Sequence, residues 1–83
     1  MTDDEFEVLD ELYFVTPFEQ LLEETNMDSI KLVQILNSIY LKGWVKIMET
    51  VDDEVPKEKL DLENKAGSYF FLATKEGLLA HNS

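Results

Sequence analysis

Between Thr16 and Lys46 the chain reads TPFEQLLEETNMDSIKLVQILNSIYLKGWVK, and this stretch limits the available folds more than any other. Thr16-Pro17-Phe18-Glu19 has the form of a capping box, with proline at the first helical position, where a missing N–H loses nothing. A short helix follows, apolar along Phe18, Leu21 and Leu22, and is predicted to end near Glu24. Thr25-Asn26-Met27 is then a turn, and Asp28 stands where it can cap a longer helix. In that helix Leu32, Val33, Leu36, Ile39 and Tyr40 cluster within about 60° of one direction. Gly43 suits a left-handed stop, and Trp44-Val45-Lys46-Ile47-Met48 reads as a strand.

The flanks supply the rest of one small domain spanning residues 1–83. Thr2-Asp3-Asp4-Glu5 is another capping box, and acids in a first turn suit the helix dipole, so a helix is predicted over Asp3–Phe14. Its spacing turns Phe6, Leu9, Leu12 and Tyr13 toward the core, with Val8 and Phe14 off that stripe. Aromatics left exposed there would suit a dimer surface or be tucked under a loop. Residues 49–67 are polar, charged and interrupted by Pro56, which predicts a long hairpin loop. Ser68-Tyr69-Phe70-Phe71-Leu72-Ala73 is the second strand, in which alternation sends Phe70 to the side opposite Tyr69 and Phe71. Thr74 caps a last helix, predicted over Lys75–His81.

Two segments resemble the winged helix-turn-helix superfamily, which includes many bacterial transcriptional repressors. Leu36-x-x-Ile39-x-x-x-Gly43-Trp44-Val45 is similar to the way that family ends its recognition helix. Tyr69-Phe70-Phe71-Leu72-Ala73-Thr74-Lys75-Glu76-Gly77 is similar to its closing strand, an aromatic and a leucine leading into threonine-x-x-glycine. The resemblance implies an α+β winged-helix domain, with a three-helix core, a two- to three-stranded β-wing and a short C-terminal helix. The helix-turn-helix would span 16–43 and the wing 44–73, with its long acidic loop at 49–67. In that family the second helix of the pair enters the DNA major groove. The positions implied to face the groove are Ser29, Ile30, Lys31, Gln34 and Ser38. Gln34 would read an adenine edge, and Lys31 a guanine or a phosphate.

Charge opposes that function. Eighteen acids against seven lysines and no arginine give a net −11. Residues 1–28 hold ten acids and no lysine or arginine, and residues 49–67 hold seven acids against three lysines. Neutralising even about six phosphates takes cations that these segments do not offer. An acid-rich surface also simply keeps a small protein in solution, and on either view nonspecific nucleic-acid binding is disfavoured. Ile30 and Leu41 project from the side of the long helix expected to face solvent, and apolar residues there suit a protein groove better than a phosphate-lined one.

Catalytic and cofactor chemistry finds little footing. There is no cysteine, no glycine-rich phosphate loop and no nucleophile elbow. The one histidine, His81, reads as frayed terminal surface. Asp52-Asp53-Glu54 lacks the alternation and glycine of a calcium loop and reads as a solvated charge run. Trp44 and the aromatics of 69–71 read as core rather than as a ligand cage. No apolar run approaches bilayer length and the start MTDDEFEV is unlike a secretory leader, so a cytoplasmic protein is expected.

These features point to a non-enzymatic protein-interaction module without cofactor or metal, binding another protein or itself as a homodimer. Nucleic acid, membrane and small molecules are not expected as partners. One candidate surface is Ile30, Lys31, Gln34, Ser38 and Leu41; the other is the acidic side of the first helix, Asp3, Asp4, Glu7, Asp10 and Glu11. The competing expectation is a transcriptional regulator binding a specific DNA site as a dimer. A third is a DNA mimic, whose carboxylates imitate phosphates.

Overall fold

The computed structural model describes all 83 residues. Thr2 forms the expected capping box: its hydroxyl accepts from the Glu5 amide, and the Glu5 carboxylate accepts from the Thr2 amide. Helix α1 (Asp3–Asp10) follows and stops a turn short of the predicted end. It is also rotated from the expected orientation by roughly 60°. Val8, Leu9 and Leu12 are fully buried, whereas Phe6 and Tyr13 are about half exposed and Phe14 is 81% exposed. The centre of the inward face is Glu5, the charged member of the capping box.

Thr16 departs from its expected role as a cap. With Pro17 it forms strand β1 (Thr16–Pro17), and its buried hydroxyl donates to the carbonyls of Glu11 and Phe14, closing the corner after α1. The cap position of α2 (Phe18–Thr25) falls to Pro17, without a side-chain bond. Asn26, in the left-handed region at φ 57°, ends α2. Asp28 then caps α3 (Ser29–Leu41) by accepting from the Lys31 amide at 2.8 Å. Leu32, Leu36 and Ile39 are fully buried along α3, flanked by half-buried Val33 and Tyr40. Gly43 takes the expected left-handed turn, at φ 78°, into β2 (Val45–Met48).

Strand β3 (Phe70–Ala73) is the middle of a three-stranded antiparallel sheet of order β1-β3-β2, with Phe71 opposite Thr16 on one side and Ile47 on the other. Tyr69 and Phe71 are buried and Phe70 is only partly so, as alternation requires. Thr74 caps α5 (Lys75–His81) by accepting from the Gly77 amide. A Cβ at Gly77 would overlap the main-chain carbonyl of Trp44, so only glycine allows α5 this close approach. The whole is a compact α+β fold of five helices around one apolar cluster that runs from Leu9 and Leu12 through Leu36 and Ile39 to Ile47 and Phe71. Each such fully buried side chain contributes about 1.5–3 kcal/mol.

The segment 49–67 is not the unpacked loop its composition predicts. It contains a 3-10 turn (Lys57–Lys59) and the short helix α4 (Leu62–Lys65), which runs into a second 3-10 turn (Ala66–Ser68). Val55, Leu62 and Ala66 join the core, spaced too irregularly among charges to declare a period. The Val55 amide donates to Ile47 at 2.9 Å, and the Asp61 amide donates to the Tyr69 hydroxyl. These bonds tie the segment to β2 and to Tyr69, and α4 packs against α3.

Candidate functional site

The residues expected on the outer face of α3 are not presented together. Ile30 and Leu41 are 74% and 67% exposed, and Gln34 is exposed between them. Lys31 and Ser38 lie on the flank that meets α1. Lys31 Nζ sits 3.3 Å from Asp4 Oδ2, and Ser38 Oγ donates to Glu5 Oε2 at 2.7 Å. Ser38 is therefore tied into the α1–α3 contact rather than offered to a partner. Ile30 and Leu41 themselves stand about 16 Å apart along the axis, at the 1.5 Å rise of a helix. Leu41 borders a separate depression shared with Tyr40, Lys46, Glu54 and Lys57.

The α1 flank is organised by the buried Glu5. Its Oε1 accepts from the Thr2 amide at 2.9 Å, and its Oε2 accepts from Ser38 Oγ and from Lys42 Nζ, both at 2.7 Å. Burial pushes the Glu5 carboxyl up. The hydrogen bonds from Lys42, Ser38 and Thr2, with the charge of Lys42, outweigh burial and lower it to about 2. Lys42 also lies 4.8 Å over the Trp44 ring, a cation–π contact. Only the local half of this arrangement, the capping box, is legible in the sequence. Its other partners lie 33 and 37 residues away.

On the acidic side of α1, Asp3 and Glu7 are exposed, Asp4 pairs with Lys31, and Glu11 is half-buried. Burial raises the Glu11 carboxyl, and the nearby charges of Glu24, Asp10 and Glu7 raise it further. Asp10 Oδ1 stands 3.3 Å from His81 Nε2. His81 is not frayed surface, contrary to expectation: its side chain is 7% exposed, and its ring stacks on Phe6 with centroids 4.1 Å apart. Tyr13 Oη lies 2.9 Å from His81 Nδ1 and accepts from Asn82 Nδ2. Phe6 and Tyr13, expected in the core, instead clasp the end of α5 against α1.

The other flank of α3 faces residues 60–67 across an open groove made of two adjoining pockets. One, of about 330 Å³, has Phe18, Ile30, Val33 and Ala66 as its apolar lining, with Glu63 and Asn64 among its polar residues. The second, of about 360 Å³, shares Val33, Gln34 and Glu63 and adds Asn37, Leu60, Asp61 and Leu62. Neither contains a lysine or a histidine. The sequence gives little sign of this groove, because 49–67 has no apolar period; Leu60, Leu62 and Ala66 are its only signal.

No three His, Cys, Asp or Glu side chains are grouped so that they could hold a metal ion, and no helix is long and apolar enough to cross a membrane. Comparison with known protein families, with curated proteins and with solved structures finds no match.

Proposed function

We propose that this chain is a small acidic winged-helix module, without catalytic activity, whose work is to bind another protein. The order α1, β1, α2, α3, β2, β3, with α4 inserted between the last two strands, α5 at the end and β3 central in the sheet, supports the winged-helix reading suggested by the two sequence segments. One observation favours protein over DNA. The two lysines on and just after α3, the helix that would enter a major groove, both pair inside the molecule, Lys31 with Asp4 and Lys42 with Glu5. Phosphate binding would have to break those pairs against a net charge of −11. An exposed Ile30 beside an apolar pocket is instead the kind of anchor point used between proteins.

Fluorescence anisotropy of a generic duplex DNA, at about 50 mM and about 200 mM salt, tests this directly. The expected outcome is no binding at micromolar protein in either buffer. Binding that weakens steeply with salt would contradict it and would restore a DNA-reading role for α3.

A further inference from the structure

We infer that the groove between α3 and residues 60–67 takes a peptide segment of a partner protein in which a large apolar side chain stands next to lysine or arginine. The inference rests on the protein-interaction reading above and specifies its partner. The pocket at Phe18, Ile30, Val33 and Ala66 offers an apolar wall open to solvent, and its volume of about 330 Å³ accommodates a leucine- or phenylalanine-sized anchor. The adjoining pocket changes character, with Asp61 and Glu63 on one side. Asp61 accepts from the Asn64 amide and side chain and so caps α4. None of the molecule's ion pairs involves Glu63 or Asp61.

Charge then selects the occupant. The pockets contain carboxylates and no cation, within a chain of net −11. A second copy docked groove to groove would bring the same unneutralised acids against these, and phosphate-bearing ligands are repelled as well. A basic, apolar-anchored segment satisfies both pockets at once: its anchor loses water in the first, and its cation meets Glu63 in the second. The groove is also easy to block without disturbing the fold. A Cβ at Gly67, on the pocket rim, meets nothing within 4 Å.

The test is selection of a random dodecamer display library on the full chain, followed by anisotropy titrations with the enriched peptides. Enriched peptides are expected to carry a leucine, isoleucine, phenylalanine or tryptophan beside lysine or arginine. Their affinity should fall about tenfold or more in Ile30→Ser, in Glu63→Lys and in Gly67→Trp, and stay unchanged in Phe6→Ser on the opposite flank. All three groove positions are exposed, so the variants should fold. Absence of enrichment, enrichment of acidic peptides, or affinities indifferent to the groove variants would overturn the proposal. If affinity followed Phe6→Ser instead, the groove would be wrong and the protein-interaction reading would stand. If the chain enriched nothing but bound duplex DNA, that reading would fall too. A dimer in sedimentation that Ile30→Ser dissolves would assign the groove to a second copy, against the charge argument.

Discussion

Along one flank of α3, toward α1, the charged groups find partners inside the molecule; along the other, toward residues 60–67, no carboxylate meets a cation. Lys31, Ser38 and Lys42 on the first flank reach Asp4 and Glu5, and Glu5 is 2% exposed. Across the second, Glu63 and Asp61 line an open groove whose wall is partly apolar. The two flanks of one helix differ in what they leave unsatisfied. A buried charge that has all its partners fixes the position of α1 on α3. Unpaired carboxylates beside open apolar surface have free energy left to gain from something outside.

The largest way to break this contrast is to empty the closed flank. Glu5→Ala removes a capping-box partner, three accepted hydrogen bonds and the counter-charge of Lys42. Because Lys42 is 42% exposed and can turn to water, the loss should fall at the low end of that for breaking a buried pair, about 3 kcal/mol. Urea denaturation at neutral pH measures it.

The same residue predicts a dependence on acidity. The fold lowers the Glu5 carboxyl from 4.5 to about 2, so it favours the ionised form. The resulting stability is present in full above the unfolded value and is lost as pH falls through the folded one. Its size is on the order of 3 kcal/mol. The stability gap between the native chain and Glu5→Gln should therefore narrow progressively from about pH 4.5 to about pH 2. A gap that stayed constant over that range would remove the titration of Glu5 from the explanation.

A smaller effect with the opposite sign is expected at Glu11. Burial and three neighbouring acids raise its carboxyl, so the fold disfavours the charged form; the penalty sets in as pH rises past the unfolded value and is complete above the raised one. Glu11→Gln should stabilise the chain at neutral pH by a few tenths of a kcal/mol to about 1 kcal/mol. Its advantage should disappear in acid, as thermal melts at the two pH values would reveal. Smallest of all should be Ile30→Ser on the open flank, whose effect on stability should stay within about 0.5 kcal/mol. A large loss of stability there would mean that Ile30 serves the fold rather than a partner.

What the sequence made legible follows the same division between local and distant causes. Asp28, Gly43 and Thr74 act within a few residues of themselves, and the α3 stripe and the alternation of Tyr69, Phe70 and Phe71 are periodic. Each was readable for that reason. Thr16 satisfied every local rule for a cap, yet pairing with Phe71, far along the chain, drew it into a strand. The capping box shows only the local role of Glu5, because Ser38 and Lys42 lie 33 and 37 residues away; without those partners the apolar spacing of α1 points about 60° off and places Phe6 and Tyr13 in the core. His81 went the same way, since its burial depends on those two aromatics. The groove was hidden because Leu62 and Ala66 reach the core from a segment with no period.

The contrast between the flanks is tested most directly by following backbone amide shifts while the chain is titrated separately with an enriched basic peptide and with generic duplex DNA. The peptide is expected to move the signals of Ile30, Val33, Gln34 and residues 60–67 and to leave Asp3–Asp10 in place, while DNA moves nothing. Shifts confined to α1 under peptide, or spread along α3 under DNA, would contradict the assignment of the open flank as the working surface of this protein.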